Sequence, residues 1–247
     1  MLDVSKIGKN LPTEKIKEDY VLFLKKLHEK KPFSLMNFGD GEWNFVLWKR
    51  ERSSQREVYS EEGRQGLIQA LNKSVQYDNC FLATMDPLRP GKFLEFAIKS
   101  IEYLEEIKYT KRKFHCMMHY YALEYGELFP LIETLRKREL VMIGAVHLKK
   151  LYSILPYKTF IKVPKKGATL YVDKIEQEIL KAKKGEVYCF SAGITSNILI
   201  GRLHSKIDAS LIDFGYTWDP FTKRNWRAET LPRLNNKMMK RNLGHGF

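Results

Sequence analysis

Short apolar runs alternate with amphipathic stretches along most of this 247-residue chain. A representative amphipathic stretch is TEKIKEDYVLFLKKLHEK, in which Ile16, Tyr20, Phe23 and Leu27 recur at helical spacing, with Thr13 as a helix N-cap. The runs of strand length are PFSLMNF, CFLATM, ELVMIGA, KTFIKVP, EVYCFSAG and ASLIDFG. Alternation of this kind predicts an α/β fold, with a mostly parallel, Rossmann-like sheet flanked by helices.

One of the predicted helices contains a proline. The stretch ALEYGELFPLIETLRKR has helical periodicity, and Pro130 is expected to kink or interrupt it. No internal repeat, low-complexity tract or Gly/Ser-rich linker separates the predicted elements. Residues 1–247 are therefore predicted to form a single domain, with a basic C-terminal segment at 222–247.

The composition is typical of a folded protein from a reducing compartment. Hydrophobic residues make up 44% of the chain, and no apolar run reaches the roughly 18 residues that a membrane span needs. The stretch MLDVSKIGKNLPTEKIKEDY contains no apolar core of a signal peptide. The three cysteines lie far apart and form no CxxC pair, so a disulfide framework and a zinc site are both unexpected. These features predict a cytoplasmic protein without a transmembrane segment.

Charge is the most unusual property of the composition. Lysine and arginine total 43 against 29 acids, which gives a formal net charge of +14, and segment 222–247 holds seven basic residues and one acid. Such a balance favours an anionic partner: a nucleic acid, an anionic membrane surface or a phosphorylated small molecule. Basic residues around Trp226 fit a polyanion backbone, although a solvated basic surface accounts for the same charge.

Three predicted strand ends carry polar or small residues. They are NFGDGE, MDPLRPG and CFSAGITSN, which contain Asp40, Asp86 and Gly193 respectively. Because ligands of open α/β sheets bind outside the carboxyl ends of the strands, these segments are candidates for one crevice. In the third, Ser191, Ala192 and Gly193 let backbone N–H groups approach a phosphate at the start of a helix, although a tight turn of small residues explains them equally.

Asp40 and Glu42 are separated by one glycine at the end of the first predicted strand. Side chains two residues apart on a strand point to the same side, so both carboxylates are expected to face one cation. Hard oxygen ligands of this kind suit Mg²⁺ or Mn²⁺, which in turn bind substrate phosphates. Gly39 and Gly41 permit a bent backbone and the close approach of a ligand. The alternative is a hairpin turn, for which Asp-Gly is a strong signal.

The stretch SLMNFGDGEWNFV resembles the RxGDGE stretch of the GT-D fold glycosyltransferases, a bacterial family whose two acids form a DxE motif. That family also closes with a strand, a small-residue turn, a helix and a strand ending in a DiGHiD-like segment, and VYCFSAGITSNILIGRLHSKIDASLIDFGYTWD has the same order. The matches bracket the chain from Ser34 to Asp219, with few matching residues between them. The chain departs from the family where Asn37 replaces the usual arginine and Tyr216 the usual histidine.

The resemblance implies a metal-dependent glycosyltransferase with a nucleotide-sugar donor, for which UDP is the expected nucleotide. Asp40 and Glu42 would then serve Mn²⁺ or Mg²⁺ and the donor diphosphate. The residues implied to contact the donor are Asn37, Gly39, Gly41, Ser191, Ala192, Gly193, Asp213 and Tyr216. Such an enzyme also needs a base for the acceptor hydroxyl, and the candidates at or just after predicted strand ends are Asp86, Asp219 and His147.

Two classes of acceptor and two other functions remain open. The acceptor hydroxyl is expected on a glycan or glycoprotein or, given the charge of +14, on a hydroxylated base in DNA, in a bacterial cell or a phage-infected host. A base in duplex DNA would have to be flipped out of the stack. A non-catalytic nucleic-acid-binding protein would need Asp-Gly only as a turn. A metal-dependent phosphohydrolase or nuclease would use the same two acids to cleave a phosphate ester.

Overall fold

The computed structural model describes residues 7–48, 59–85, 94–182, 184–222 and 231–245. Within these residues seven strands form a single sheet: β1 (Ser34–Asn37), β2 (Cys80–Thr84), β3 (Lys113–His115), β4 (Leu140–Gly144), β5 (Thr159–Lys162), β6 (Val187–Ser191) and β7 (Ser210–Asp213). Their order across the sheet is β3-β2-β1-β7-β6-β4-β5, and each neighbouring pair is parallel. The predicted α/β fold with a parallel sheet is confirmed.

Helices cover the sheet and connect its strands. They are α1 (Glu14–His28), α2 (Asp40–Trp43), α3 (Glu61–Gln76), α4 (Leu94–Glu106), α5 (Met118–Glu124), α6 (Phe129–Arg136), α7 (Val172–Lys181), α8 (Ile194–Leu203) and α9 (Asn236–Asn242). In the part of the chain that the structure describes, three short 3-10 helices occupy Val146–Ser153, Ala168–Tyr171 and Asp219–Thr222, and a π-helical turn follows α2 at Asn44–Trp48. None of the helices in the described ranges is long and apolar enough to cross a membrane.

Most of these elements agree with the apolar pattern. The six predicted strands are present. The helix that was expected to be interrupted near Pro130 is divided into α5 and α6, and the proline lies in the first turn of α6. Strand β3 is an addition, because its three residues include only one apolar side chain, Phe114, and therefore form no apolar run. It lies at the edge of the sheet, where the Asp19 carboxylate accepts a hydrogen bond from the N–H of His115 at 2.9 Å.

The strand order places β1, β7 and β6 side by side in the middle of the sheet. From β1 the chain proceeds outward through β2 to β3 at one edge. It then crosses to β4 and β5 on the other side and returns through β6 to β7. The carboxyl ends of β1, β7 and β6 therefore meet where the strand order changes direction, which is where open α/β sheets bind ligands.

Helix α8 is held tightly against α3. Nine of its ten residues are buried. A Cβ at Gly201 of α8 would lie 2.7 Å from the Cα of Ala70, and a Cβ at Gly66 of α3 would lie 2.9 Å from a methyl carbon of Ile198. The two helices thus approach with little side-chain volume between them, and this contact fixes the start of α8 at the carboxyl end of β6.

Candidate functional site

The segments after β1, β7 and β6 meet at one place. Register pairs Asp213, the last residue of β7, with Phe190, which precedes Ser191 at the end of β6. The Asp213 carboxylate is influenced by the polar side chains of Ser196 and Asn197 at the start of α8 and interacts electrostatically with Glu42, which follows β1. The structure therefore brings three predicted site segments together. Asp86, predicted as a candidate base, lies outside the described residues.

Asp40 and Glu42 lie in a helical turn and not on a strand. The strand predicted to reach Gly39 ends at Asn37, and Asp40 begins α2 with Gly39 as its N-cap. Because side chains two residues apart on an α-helix diverge by about 200°, the strand argument for two carboxylates on one side is wrong. Glu42 instead turns back, and its Oε2 accepts a hydrogen bond from the Gly39 N–H at 3.0 Å. Its exposed fraction is 5%, whereas Asp40 is half-buried.

Trp43 anchors this turn in the protein interior. Its ring is fully buried and contacts the rings of Phe38 and Tyr103. Its Nε1 donates a hydrogen bond to Oγ1 of Thr84, at the end of β2, over 3.1 Å. The large apolar residue next to Glu42 thus draws α2 into the core, and the Glu42 carboxylate is carried inward with it.

Glu42 and Asp213 form a pair of buried carboxylates. Burial, reinforced by the negative charge of Asp213, raises the pKa of Glu42 from 4.5 to about 8. Burial also raises the pKa of Asp213 from 3.8 to about 7, although the hydrogen bond from the Gly215 N–H and the nearby polar side chains of Ser196 and Asn197 favour its charged form. Two such groups cannot both be ionised at neutral pH without a compensating positive charge. The pair is therefore suited to hold a proton or a cation.

The donor set of this pair fits a cation that is shared with a ligand. Within the described ranges, no three His, Cys, Asp or Glu side chains are grouped so that they could hold a metal ion by themselves. Mg²⁺ and Mn²⁺ accept one or two carboxylates and complete their coordination with water and phosphate oxygens. Glu42 and Asp213 could supply such a partial set, whereas the Asp40 side chain diverges from that of Glu42 on α2.

The turn between β6 and α8 is open and polar. Gly193 has φ 60° and ψ −145°, which only glycine adopts readily, and a Cβ there would meet no described residue beyond its chain neighbours within 4 Å. The Ala192 N–H donates a hydrogen bond to Ser196 Oγ at 2.9 Å, which ties the turn to α8. Among the described residues, the buried hydroxyls of Ser191 and Thr195 have no hydrogen-bond partner. Open space and hydroxyls of this kind fit a ligand rich in oxygen atoms.

Asn37 closes strand β1 at this crevice. Its backbone N–H donates to Oδ1 of Asn197 on α8 at 2.9 Å, and Nδ2 of Asn197 donates back to the Asn37 carbonyl at 3.0 Å. The side-chain oxygen of Asn37 is buried and has no partner among the residues that the structure describes. The position at which the GT-D family carries an arginine therefore presents a neutral amide here, without a charge for a phosphate.

Tyr216 stacks on Tyr120, a residue to which no local sequence pattern draws attention. Their ring centroids are 4.0 Å apart and their planes differ by 10°. The Tyr120 hydroxyl accepts a hydrogen bond from the Tyr216 N–H at 3.3 Å, across 96 residues of chain. Burial raises the pKa of Tyr120 well above its ordinary value, so this hydroxyl stays protonated. The position of the usual histidine is thus an aromatic ring backed by a second, buried ring.

His147 and Asp219 form a hydrogen-bonded pair at the same edge of the sheet. His147 lies in the 3-10 helix after β4, Asp219 begins the 3-10 helix after β7, and Nε2 of the histidine is 2.7 Å from Oδ1 of the aspartate. Because β6 lies between β4 and β7, the pair spans the carboxyl end of β6. The sequence predicts each residue separately as a candidate base, and the structure brings the two together.

Solved structures of other proteins have a similar architecture, whereas comparison by sequence finds no match. No protein-family model matches the sequence, and no curated protein sequence matches it either. A structure described as a glycosyltransferase (DUF1792) from Streptococcus sanguinis is similar with a TM-score of 0.62 at 13% identity, over 90% of this chain and 95% of that chain. A structure described as the highly conserved domain of unknown function 1792, with a distinct glycosyltransferase fold, has a TM-score of 0.60 at 18% identity, over 86% and 83%. This chain has that glycosyltransferase fold.

A selenomethionine-substituted structure of the same domain of unknown function agrees, with a TM-score of 0.61 at 18% identity. The GT-D-type fold that the GDGE resemblance predicts is therefore confirmed. The similarity extends over most of the chain, 86% of it in two of these structures and 90% in the third. Because identities of 13% and 18% establish the fold alone, the roles of individual residues stay predictions.

Proposed function

We propose that this protein is a glycosyltransferase that moves a sugar from a nucleotide-sugar donor to an acceptor hydroxyl. The proposal is carried by the buried carboxylate pair of Glu42 and Asp213 beside the open turn at Gly193, in a chain with this fold. The similar solved structures are described as glycosyltransferases. Transfer from a nucleotide sugar requires a diphosphate site next to a positive charge, which such a pair would hold.

The turn from Ser191 to Gly193 and the start of α8 would bind the donor diphosphate. Their backbone N–H groups lie at the positive end of a ten-residue helix, which favours anions. Two carboxylates, Glu42 with either Asp213 or Asp40, would hold Mn²⁺ or Mg²⁺, which as a Lewis acid stabilises the charge that develops on the leaving diphosphate. UDP-linked sugars are the donors that we propose first.

His147 would take the proton of the acceptor hydroxyl. As the acceptor oxygen bonds to the anomeric carbon, the bond from that carbon to the diphosphate breaks and its electron pair leaves with the diphosphate. The Asp219 carboxylate, 2.7 Å from Nε2 of His147, would stabilise the imidazolium that forms when the proton arrives. The two residues would therefore act as one unit.

The proposed acceptor is a hydroxyl group on a glycan or glycoprotein, or on a hydroxylated base in DNA. The net charge of +14 favours an acceptor, or a carrier of it, that is anionic. Incorporation of labelled sugar into each acceptor class, with the same purified protein, distinguishes the two.

A thermal-shift screen of nucleotide sugars, with and without Mn²⁺, tests the function. We expect one donor to raise the melting temperature only when the metal is present, and we expect Asp40→Asn and Glu42→Gln to abolish that shift and the transfer. Asp208→Asn is a matched control, because Asp208 is exposed and precedes β7 at the opposite edge of the sheet.

Other results would identify the other functions. Hydrolysis of the donor with release of UMP, or cleavage of DNA, without sugar transfer would indicate a phosphohydrolase or nuclease. Stabilisation by duplex DNA alone, with every donor silent, would indicate a binding protein in which Asp-Gly is merely a turn. Normal transfer by Asp40→Asn and Glu42→Gln would overturn the metal assignment.

A further inference from the structure

The chain from Leu140 to Val172 has an extreme charge distribution. It contains six lysines and neither aspartate nor glutamate. It forms β4, the 3-10 helix 146–153, the edge strand β5 and the 3-10 helix 168–171. One border of the sheet is therefore built from a segment without a negative side chain.

Large apolar side chains are exposed on both sides of this edge strand. Val146 and Tyr152, in the 3-10 helix before β5, are 56% and 57% exposed. Leu170 and Tyr171, in the 3-10 helix after β5, are 77% and 47% exposed. Exposed aliphatic and aromatic groups concentrated in one region of a protein commonly mark an interaction surface. We call the exposed residues between Val146 and Tyr171 the basic edge.

The lysines of the basic edge are largely without carboxylate partners. Lys158 is paired with Glu139 at 3.0 Å, and the ammonium group of Lys149 lies 5.7 Å from the ring centroid of Phe160. Within the described residues, no carboxylate forms an ion pair with the remaining lysines, which are all exposed: Lys150, Lys162, Lys165 and Lys166. The positive charge of this surface is therefore not neutralised by the protein itself.

We propose that the basic edge docks the protein on an anionic membrane surface. Lysines are attracted to anionic headgroups, tyrosine rings suit the interface between headgroups and acyl chains, and a projecting leucine can enter the acyl layer. The basic edge has all three: unpaired lysines, Tyr152 and Tyr171, and Leu170 as its most exposed apolar residue. A bilayer satisfies the charged and the apolar groups at the same time.

Two other occupants match this surface less well. A nucleic-acid backbone would pair with the lysines, but it offers no apolar surface to Val146 and Leu170. A second copy of the chain, related by a two-fold axis, would bring the unpaired lysines of the two basic edges against each other, which is repulsive. The combination of charge and apolar exposure therefore favours lipid.

The basic edge borders the candidate site. Both 3-10 helices follow the carboxyl ends of strands, β4 and β5, and the first of them contains His147 next to Val146. Docking would therefore hold the crevice beside the bilayer, within reach of a hydroxyl or diphosphate that is attached to a lipid. This docking is independent of the proposed transferase activity.

Vesicle flotation of the purified full-length chain tests the docking. We expect the protein to float with vesicles of phosphatidylcholine mixed with phosphatidylglycerol, not with phosphatidylcholine alone, and to be released by salt. Lys165→Gln/Lys166→Gln should weaken binding roughly tenfold, and Leu170→Ser should weaken it several-fold. The control for the lysines is Lys25→Gln/Lys31→Gln, which removes an equal charge elsewhere on the surface. The control for the leucine is Ile98→Ser, which removes a comparable exposed apolar group. Both controls should leave binding unchanged.

Three results would overturn the proposal. The first is absence of flotation with the anionic vesicles. The second is an equal loss of binding in the control variants, which would make the attraction a general property of the +14 charge. The third is tight binding to duplex DNA that Leu170→Ser leaves unchanged while vesicles remain unbound, which would assign the basic edge to a nucleic acid.

Discussion

The hydroxyl oxygen of Tyr120 lies where a side chain at position 215 would have to stand. A Cβ at Gly215 would be 1.8 Å from that oxygen, and Gly215 has φ 53°, in the left-handed region that favours glycine. The turn after β7 directs the Gly215 N–H to the Asp213 carboxylate at 2.9 Å. The surroundings of this buried acid therefore depend on a residue from a distant part of the chain.

Replacing Gly215 by alanine is expected to lower the free energy of unfolding by about 2 kcal/mol or more, because it adds backbone strain and a steric clash. Tyr120→Phe alone removes the acceptor of the Tyr216 N–H and should cost about 1 kcal/mol. In the double variant the losses should be less than additive, since the clashing oxygen is gone. Urea denaturation of the four proteins measures this coupling, and strictly additive losses would mean that the contact does not constrain the turn.

The paired hydrogen bonds between Asn197 and the backbone of Asn37 give a second prediction. Asn197→Ala should lower the free energy of unfolding by about 1–3 kcal/mol, because two backbone groups at the end of β1 lose their partners. Asn72→Ala, at an exposed position of α3, is the control and should stay within about 0.5 kcal/mol of the parent protein. Denaturant titration that finds the two variants equally stable would show that Asn197 does not hold the strand end.

Glu42 and Asp213 should lower the stability of the protein as the pH rises from about 4 to about 8. In that interval native Glu42 and Asp213, with pKa values of about 8 and about 7, keep protons that the unfolded chain, with ordinary values of 4.5 and 3.8, has released. At these two groups the native state then binds more protons than the unfolded state, so their contribution to the free energy of unfolding declines with pH. Buried His119, whose pKa is lowered to about 3, opposes this effect below its ordinary pKa of 6.5. Glu42→Gln, which is neutral at every pH, should flatten the decline in a series of denaturant titrations.

A matched variant separates this effect from general titration. Glu178→Gln changes an exposed acid of α7 and should leave the pH dependence as it is. Mn²⁺ or Mg²⁺ should reduce the decline in the unsubstituted protein, since a cation would then replace the proton between the two carboxylates. If the stability of Glu42→Gln changes with pH in parallel with that of the unsubstituted protein, the raised pKa of Glu42 is contradicted.

The hydrogen bond between His147 and Asp219 gives a prediction for catalysis. Asp219→Asn keeps the size of the side chain but removes its charge, and it should lower kcat by about 10²–10⁴-fold while the donor-dependent thermal shift is retained. His147→Gln should have a similar effect, and the double variant should lose little more, because the two residues would act as a unit. His28→Gln, at an exposed position of α1, is the control. An unchanged kcat and pH–rate profile in Asp219→Asn would remove the pair from the reaction.

The fold could be predicted because each central strand lies in a short, predominantly apolar run. Strands buried on both faces of a parallel sheet have that pattern, and their alternation with helices fixes the class of fold. The local structure at Asp40 could not be predicted in the same way. Asp-Gly is compatible with a strand end or a turn, and the helical turn depends on Trp43 packing against Phe38 and Tyr103, which only the folded chain brings together.

The candidate site could be predicted only for residues that lie at a strand end or in the turn that follows it. Glu42 and Asp213 qualify, because a short apolar run precedes each of them. Tyr120 does not qualify, since its stacking partner is 96 residues away and both rings belong to ordinary helix and turn sequences. His147 and Asp219 could be predicted singly, but their pairing across 72 residues follows from the position of β6 between their strands.

The close contact of α3 and α8 at Gly66 and Gly201 has a consequence for recognition. Two helices that interlock at backbone distance cannot slide past each other without separating, so the N–H groups at the start of α8 acquire their direction when the chain folds. An anion that reaches the crevice would meet dipoles that are already oriented. Its binding free energy would not be diminished by the work of reorienting them, and its rate of association would be set by diffusion and charge and not by a movement of α8.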